Sequence, residues 1–416
     1  MKLSQRLRPL ALRLGFLLSM VGPGLITASA DNDAPGIATY SVAGSTYGYG
    51  FLWIVLWVTL GEVVVQEMAA RMGASTAKGL TDLIRERFGV QTALTIILGL
   101  GISNLGTTVA QFAGIAASGE LLGVSRYLIV PISALVVWFL VLRGSYYQVE
   151  KTMLLLSLYA LAYVASALLA RPSWVQVLQA AAVPTLRLER HFLLAVLATV
   201  GTTITPWGCA YLQASIADKK VSMTEYGYTR LDVVIGATFG NIVSAFIIVA
   251  TAATLFVAGV QVDSAREAAL ALEPLAGPLA GQLFAVGMLG ASLLASAVLP
   301  LATTYSVCEA FGWERGIDNS VAEAPAFYGL YTGLIVLSAL VVLIPGIPLF
   351  PLMWLSQVLN AILLPVVMLL MLRLANDSHI MGRWRNSRLT NVFAAILAVA
   401  ITLATLALLA DAFSRQ

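Results

Sequence analysis

Two apolar runs of this chain are interrupted in the same way, and these interruptions constrain the fold more than any other feature. The first break is residues 31–36 (DNDAPG), and the second is residues 205–208 (TPWG). Each places a proline and a glycine where a membrane-spanning helix would otherwise continue, and the first adds two carboxylates. Lipid cannot hydrogen-bond the backbone groups freed by such a break, so the sequence predicts that both breaks line a cavity enclosed by protein.

The composition indicates that the whole chain is embedded in a membrane. Of its 416 residues, 59% are hydrophobic and 11% are charged, whereas an ordinary soluble domain has about 25% charged residues. Runs long enough to cross about 30 Å of hydrocarbon recur along the entire length. They predict eleven spans, near residues 15–40 (broken), 49–71, 92–119, 127–143, 148–170, 190–217 (broken), 231–258, 279–300, 325–345, 350–373 and 390–411. We therefore expect an all-α integral membrane protein with a single transmembrane domain over residues 1–416.

Lysine and arginine residues are distributed unevenly between the two sides of these spans. With the N-terminus inside, 18 of the 24 lie in cytoplasmic segments and six lie outside. This bias follows the positive-inside rule and predicts a cytoplasmic N-terminus and an external C-terminus, which requires an odd number of spans. The first apolar run contains the GPG of residues 22–24 and no small-residue cleavage site, so we do not expect a cleaved signal peptide. A bacterial inner membrane is the expected location.

The sequence does not favour nucleic-acid binding or a metal site built from cysteine and histidine. The net charge of +3 reflects the topology, and no basic stripe interleaved with aromatic residues is present, so nucleic acid is not expected as a partner. Cys209 and Cys308 lack a metal-like spacing and are expected to pack as small apolar side chains. His191 and His379 lie at span ends or in loops, without zinc-ligand spacing around them.

The two breaks lie at matching places in two halves of the chain. Asp33 and Thr205 are 172 positions apart (205 − 33), in the first and sixth predicted spans. Five spans plus five, each half opening with a broken helix, is the inverted-repeat pattern of LeuT-like transporters, in which such breaks hold the substrate. We expect a first repeat over residues 15–170, a second over residues 190–373, and an additional eleventh helix over residues 390–411.

The aspartates of the first break need a partner at this depth. A carboxylate in mid-membrane costs at least about 2.5–3.5 kcal/mol, and no lysine or arginine lies in the middle of a predicted span. Because the carbonyl end of a half-helix also carries partial negative charge, we expect a bound cation, or protonation, to neutralise this site. The alternative is an ordinary loop in which Asp31, Asn32 and Asp33 serve as turn or cap residues. Residues 16–30 alone are too short to span the bilayer, which weakens that alternative.

Several motifs resemble those of the natural-resistance-associated macrophage protein (Nramp) family of divalent-metal transporters, and the similarity covers nearly the whole chain. The GPG of residues 22–24, followed nine residues later by Asp33, is similar to the first span of that family, in which GPG precedes an Asp-Pro-Gly-Asn break. Residues 47–73 and 356–365 are similar to its second and tenth spans. Residues 376–382 (NDSHIMG) resemble the loop after its tenth span and are the most specific match. The resemblance implies a LeuT-like 5+5 inverted repeat with broken first and sixth helices.

The departures from the family pattern concern the ligands of the ion. Typical members coordinate a transition metal with the Asp and Asn of the first break, a methionine thioether of the sixth span and adjacent carbonyls. Here Asp33 is retained, whereas an ungapped alignment places Gly36 at the Asn position and Thr205 at the Met position. Oxygen ligands without sulfur suit Mg²⁺ and Mn²⁺, and Mg²⁺ usually keeps several of its waters.

This pattern resembles the Nramp-related magnesium transporter branch, which implies import of Mg²⁺, and of Mn²⁺ as a second ion, by alternating access. No cofactor is expected besides the transported ion. The implied ligands are the Asp33 carboxylate, the carbonyls of Ala30 and Thr202, and the hydroxyl or carbonyl of Thr205, with Asn32 and Asp31 as added oxygen sources. Gly36, Trp207 and Gly208 are expected to shape the pocket.

Proton coupling in the family depends on histidines of the sixth span and acidic residues of the third. The aligned positions here are Trp207 and Leu212, and Thr107 and Ala110, none of which can titrate. The resemblance therefore implies uncoupled transport driven by the membrane potential, worth about 2.3 kcal/mol per charge per 100 mV.

Two glutamates of the second span require separate interpretations. Glu62 and Glu67 are five residues apart and point about 140° apart around a helix, so they cannot share a face. Glu67 is expected to be solvated or paired with Arg71, four positions later. Glu62 is the candidate for a role in the ion pathway or in the structure.

Three alternatives remain open at this point. The first is an ordinary proton-coupled Mn²⁺ or Fe²⁺ symporter with altered ligands. The second is a LeuT-like amino-acid transporter, which two aspartates in the break disfavour because such sites present helix N-termini to a substrate carboxylate. The third is an intramembrane aspartyl protease, but its Gly-x-Gly-Asp motif is absent, so we expect no enzymatic activity. The partners are divalent ions and the lipid bilayer, and the oligomeric state does not follow from the sequence.

Overall fold

The computed structural model describes residue 27 and residues 30–143, 160–187, 189–273 and 277–414, and all regular structure in these ranges is helical. The helices are α1 (Ala34–Tyr47), α2 (Leu52–Thr76), α3 (Leu80–Phe88), α4 (Val90–Leu121), α5 (Arg126–Arg143), α6 (Ala160–Leu169), α7 (Trp174–Ala182), α8 (Arg190–Thr203), α9 (Pro206–Asp218), α10 (Tyr226–Thr251), α11 (Ala265–Leu270), α12 (Ala280–Phe311), α13 (Pro325–Val342), α14 (Leu349–Asn376), α15 (Ser378–Met381) and α16 (Arg388–Ser414). Short 3₁₀ turns cover Gly48–Phe51, Gly277–Leu279 and Gly382–Trp384, and a π-helical turn, Ala252–Phe256, extends α10.

Each of the eleven predicted spans contains a described helix. Eight helical stretches of the described residues are long and apolar enough to cross a membrane, with α1 and α2 counted as one stretch and α8 and α9 as another. Helix α5 is a shorter apolar helix, and α6 lies in the fifth predicted span. Most of the first half of span one and residues 148–159 of span five lie outside the described residues.

The eighth span is longer than the apolar run predicts. The apolar run predicts an end near residue 300, whereas α12 continues through Pro300 to Phe311. Residues on the far side of the proline, among them Leu301, Ala302 and Cys308, are fully buried. Tertiary packing therefore continues the helix where local sequence signals favour its end.

The first helix lies in the middle of the bundle. Helix α1 packs against α10, α14, α8 and α4. Close approach between α8 and α14 depends on Gly201, because a β-carbon there would lie 2.0 Å from the carbonyl oxygen of Gln357. These contacts place the two chain breaks, at the starts of α1 and α9, inside the protein rather than against lipid.

The last helix lies at the edge of the bundle. Helix α16 packs on α14, α8 and α2. Exposed apolar side chains line its outer surface from residue 389 to residue 406, including Leu389, Val392, Ile396, Val399 and Leu403. An exposed apolar surface of this kind suits contact with lipid tails.

Ion pairs gather at the end of the bundle where α2 and α14 terminate. Arg71 binds Glu67 over 3.1 Å, which confirms the predicted pair on α2. Arg71 also donates to Asn386 over 2.6 Å and so ties α2 to the segment before α16. Asp82 of α3 pairs with Arg315, in the loop after α12. The predicted orientation makes this the cytoplasmic end.

Candidate cation site

The two breaks are built in the same way. Asp33 is the N-cap of α1, and its side chain accepts a hydrogen bond from the N–H of Gly36 over 2.7 Å. Thr205 is the N-cap of α9, and its hydroxyl accepts from the N–H of Gly208 over 3.1 Å. In both, a proline occupies the first turn, where its missing N–H costs nothing. A short polar residue three positions before a glycine therefore starts each half-helix and leaves its side chain at the break.

A hydrogen bond joins the two breaks. The Thr205 hydroxyl donates to Asp31 Oδ1 over 2.9 Å. Asp31 is 5% exposed and Thr205 is 3% exposed, so the bond lies within the protein. The halves of the predicted repeat thus meet at this pair of side chains.

Oxygen atoms from the first break and from the end of α8 converge beside Gly36. A β-carbon on Gly36 would lie 2.9 Å from the carbonyl oxygen of Asp31, 3.1 Å from the hydroxyl of Thr202 and 3.2 Å from Asp33 Oδ1. Thr202 Oγ1 is buried and has no hydrogen-bond partner among the described residues. Glycine thus keeps side-chain atoms away from a point that a carbonyl, a hydroxyl and a carboxylate surround.

Helix α4 contributes an amide to this cluster. Gln111 Nε2 donates to Asp33 Oδ2, the carboxylate oxygen that does not cap α1. Gln111 Oε1 is buried and makes no hydrogen bond within the described part of the chain. Both oxygens of Asp33 are therefore held by neutral donors, which fix the carboxylate without cancelling its charge.

A second carboxylate is linked to the first break through α2. Gln66 Nε2 donates to Glu62 Oε1 over 2.6 Å and to Asp31 Oδ2 over 3.4 Å. Glu62 Oε2 accepts from Asn241 Nδ2 on α10. Glu62 and Gln66 are four residues apart and so share one face of α2. Glu62 therefore faces the site, whereas Glu67 binds Arg71 at the end of the helix.

The structure places the other predicted site residues as follows. The Asn32 side chain contacts α10, because its amide donates to Gly240 O over 2.8 Å and accepts from Ser244 Oγ over 2.7 Å. In this structure the Asn32 side chain links the break to α10, and its role as an oxygen source for an ion stays a prediction. Ala30 and Trp207 are both fully buried. Thr202, predicted to act through its carbonyl, brings its hydroxyl to the site.

The carboxyl groups of the site have no basic partner in the described part of the chain. Among the described residues, the ion pairs of lysine and arginine involve other carboxylates and never Asp31, Asp33 or Glu62. No group of three or more His, Cys, Asp and Glu side chains there could hold a metal by itself. The cluster instead combines carboxylates with hydroxyl, carbonyl and amide oxygens, which are the ligands of hard divalent cations.

Sequence reasoning missed three polar residues of this site. Gln111, Gln66 and Asn241 each lie within an apolar span, and each side chain is at most 4% exposed. An amide in the middle of an apolar run is a signal that could have identified all three. Their partners could not be read from the sequence, because Gln111 lies 78 positions from Asp33 and Asn241 lies 179 positions from Glu62.

Comparisons with known proteins agree with this architecture. A family described as natural resistance-associated macrophage protein-like matches residues 24–411. The divalent metal cation transporter MntH of Ralstonia nicotianae is 31% identical, over 94% of this chain and 90% of its own length.

Two solved structures share the fold. The Eremococcus coleocola manganese transporter has a TM-score of 0.77 at 20% identity, covering 94% of this chain and 86% of that chain. MhsT, in complex with L-phenylalanine, has a TM-score of 0.63 at 15% identity, covering 92% of this chain and 98% of that chain. These likenesses confirm the predicted all-α, LeuT-like fold. From the family match over residues 24–411 and the relative at 31% identity, we conclude that the chain belongs to the Nramp family.

Proposed function

We propose that this protein carries divalent metal ions across a membrane by alternating access, with the ion held where the two helix breaks meet. The observation that carries the proposal is the convergence of Asp31 O, Thr202 Oγ1 and Asp33 Oδ1 around one point beside Gly36. Thr205 belongs to the same site through its hydrogen bond to Asp31. Relatives named as divalent metal cation transporters support a transported ion and an integral membrane location, and they disfavour an enzyme.

Mg²⁺ is the proposed preferred ion, and Mn²⁺ the second. The side chains joined at the breaks supply oxygen, and the position that is a Met ligand in typical members is Thr205 here. Oxygen ligands favour Mg²⁺ and Mn²⁺ over softer transition metals. Gly36 and Gly208 place no side chain beside these oxygens, which supports an ion that keeps part of its water shell, as Mg²⁺ usually does.

Transport is proposed to be uncoupled from protons. The four positions aligned with the proton path of typical members are Trp207, Leu212, Thr107 and Ala110, and all four are fully buried. None of these side chains can carry a proton, so a divalent ion would move down its own electrochemical gradient. The proposed direction is inward across a bacterial inner membrane, with a cytoplasmic N-terminus and an external C-terminus.

A proton-coupled Mn²⁺ symporter is the second candidate. One observation favours Mn²⁺ as its ion: the solved relative with a TM-score of 0.77 is named a manganese transporter. The amino-acid transporter alternative is weaker, because the α1 break places carboxylates where a substrate carboxylate would bind.

Flux into proteoliposomes distinguishes these candidates. The purified chain would be reconstituted with a Mg²⁺ indicator, a Mn²⁺ indicator or a pH-sensitive dye inside the vesicles. The proposal predicts Mg²⁺ uptake, inhibition of Mn²⁺ uptake by excess Mg²⁺, and no acidification during either. Mn²⁺ uptake with acidification and without Mg²⁺ competition would instead identify the proton-coupled symporter.

A further inference from the structure

The carboxylate of Glu62 lies deep in the protein and faces the site described above without being one of the ligands proposed there. It is 2% exposed and is held by two amides, from Gln66 and Asn241, and by no basic residue of the described chain. An unpaired charge in such a position is costly to retain. A residue that only packed α2 against α10 would avoid this cost.

Glu62 is close to the proposed ion site. Gln66 Nε2 is 2.6 Å from Glu62 Oε1 and 3.4 Å from Asp31 Oδ2, so these two carboxylate oxygens are separated by no more than 6.0 Å. An Mg²⁺ ion about 2.1 Å from each of two oxygens holds them at most about 4.2 Å apart, and an intervening water extends this reach. The separation is therefore within the range that one hydrated divalent ion can bridge.

The amides beside Glu62 have unused oxygens. Gln66 Oε1 and Asn241 Oδ1 are both buried and without a hydrogen-bond partner among the described residues. A half-turn about the last side-chain bond exchanges the nitrogen and oxygen of such an amide. Gln66 and Asn241 can therefore donate N–H to the carboxylates when no ion is bound, and present oxygen when one is.

Asp31 connects this group to the first site. Its Oδ1 accepts from Thr205, at the meeting point of the breaks, and its Oδ2 faces Gln66. A carboxylate with one oxygen directed to each of two sites can pass an ion from one to the other without exposing it to lipid. Two divalent ions bound at once would carry more positive charge than the three carboxylates Asp31, Asp33 and Glu62 can neutralise. The two positions would therefore be filled in turn.

We infer that Glu62, Gln66 and Asn241, with Asp31 Oδ2, form a second position for the transported divalent cation, between α2 and α10. This inference rests on the proposed function, because it assigns a further stage to the same ion's path. The ion at this position takes two carboxylates and two amide oxygens as ligands, directly or through water.

Equilibrium Mn²⁺ binding to the purified full chain tests the second position directly. The probe is Mn²⁺ alone, detected by its paramagnetic resonance signal. Asp33→Ala removes a ligand of the first position only, so this variant is expected to retain weakened Mn²⁺ binding. The double variant Asp33→Ala/Glu62→Gln should show no Mn²⁺ binding. The matched double variant Asp33→Ala/Glu67→Gln, changed on the same helix, should bind Mn²⁺ as Asp33→Ala does.

The transport kinetics of Glu62→Gln alone give a readout that a purely structural role would not produce. We expect the maximal Mn²⁺ flux to fall at least about tenfold, as is usual when a group around a metal is lost. The Mn²⁺ dissociation constant of the first position should stay within about threefold of the wild type, and Glu62→Asp should restore part of the flux. Equal elution volume and melting temperature would show that the variant is folded.

Two contrary results are separable. If Asp33→Ala weakens Mn²⁺ binding but adding Glu62→Gln changes nothing, the second position is refuted and the proposed function stands. If the wild-type chain binds no divalent ion, the proposed function fails as well.

Discussion

The hydroxyl of Thr205 donates a hydrogen bond to Asp31 Oδ1 over 2.9 Å, between residues 174 positions apart in the chain. The same hydroxyl caps α9 by accepting from the N–H of Gly208. One side chain thus starts the second broken helix and holds the carboxylate of the first. Any change of the angle between the two half-helices must alter this contact.

Thr205→Val should therefore uncouple the two breaks. Valine keeps the shape of threonine but loses the cap, worth about 1 kcal/mol, and the bond to a charged group, worth about 1.5–3 kcal/mol. We expect a lower melting temperature and Mn²⁺ uptake reduced by at least about tenfold. Thr205→Ser retains the hydroxyl and should preserve most uptake. Equal uptake by the valine variant and the wild type would show that this hydroxyl does not serve the site.

Gly36→Ala should block the ion site. The added methyl group would lie within 3.2 Å of three oxygens that surround the proposed ion, so it occupies the space of the ion and its waters. Overpacking of this kind also costs about 1–3 kcal/mol of stability. We expect Mn²⁺ and Mg²⁺ uptake in proteoliposomes to fall to background.

Gly101→Ala on α4 is the matched control, because nothing lies within 4 Å of its β-carbon position. It should leave uptake unchanged and raise stability slightly through helix propensity. Wild-type uptake in Gly36→Ala would place the ion elsewhere.

Much of this fold follows from local patterns in the sequence. Apolar runs of sufficient length predict eleven spans, because the bilayer fixes the length of a spanning helix, and each predicted span contains a described helix. The proline and glycine of residues 31–36 and 205–208 located both breaks. Only tertiary packing revealed that α12 continues past Pro300 to Phe311.

The sequence points to the residues of the candidate site that lie in the two breaks, but not to those that other helices contribute. Asp33 and Thr205 are predicted as ion ligands because their residue types stand out at a break. The direction of the Asn32 side chain could not be predicted. In an irregular segment it depends on backbone angles that the sequence does not fix. Gln111 and Asn241 reach their partners across the bundle, so their roles depend on how the helices pack.

Glu309 should stabilise the end of the bundle where α3 and α12 meet. Its carboxylate is 1% exposed and accepts the N–H of Thr81, in the first turn of α3, over 3.1 Å. Glu309→Ala would leave that N–H unpaired at a cost of about 1–3 kcal/mol. A lower melting temperature in detergent is expected, with a smaller loss for Glu309→Gln. The exposed Glu314→Ala should match the wild type, and an equal loss in both alanine variants would refute this role.

Asp377 gives the same end of the bundle a pH-dependent contact. The N–H of His379 donates to its carboxylate over 2.8 Å and Arg87 binds it over 2.5 Å, and these contacts hold the pKa of Asp377 below its ordinary value. A lowered pKa in the folded state contributes stability that is present above the unfolded pKa of about 3.9 and is lost as the pH falls through the folded value.

Asp377→Asn should therefore lower the melting temperature at pH 7. The difference from the wild type should shrink as the pH falls below about 4, where the wild-type carboxyl becomes protonated. Melting curves of both proteins from pH 7 to pH 3 measure this. A difference that is constant over that range would mean that the charge of Asp377 is irrelevant.

Asp33→Asn tests the central claim most directly. Asparagine keeps the size and the capping oxygen of Asp33 but removes the negative charge that would bind the ion. The measurement is Mn²⁺ and Mg²⁺ uptake by proteoliposomes under an inside-negative potential, with Glu67→Gln as the matched control. The predicted result is wild-type uptake by the control and background uptake by Asp33→Asn in a protein that melts normally. Full uptake by Asp33→Asn would contradict the claim that a divalent ion is held where the two helix breaks meet.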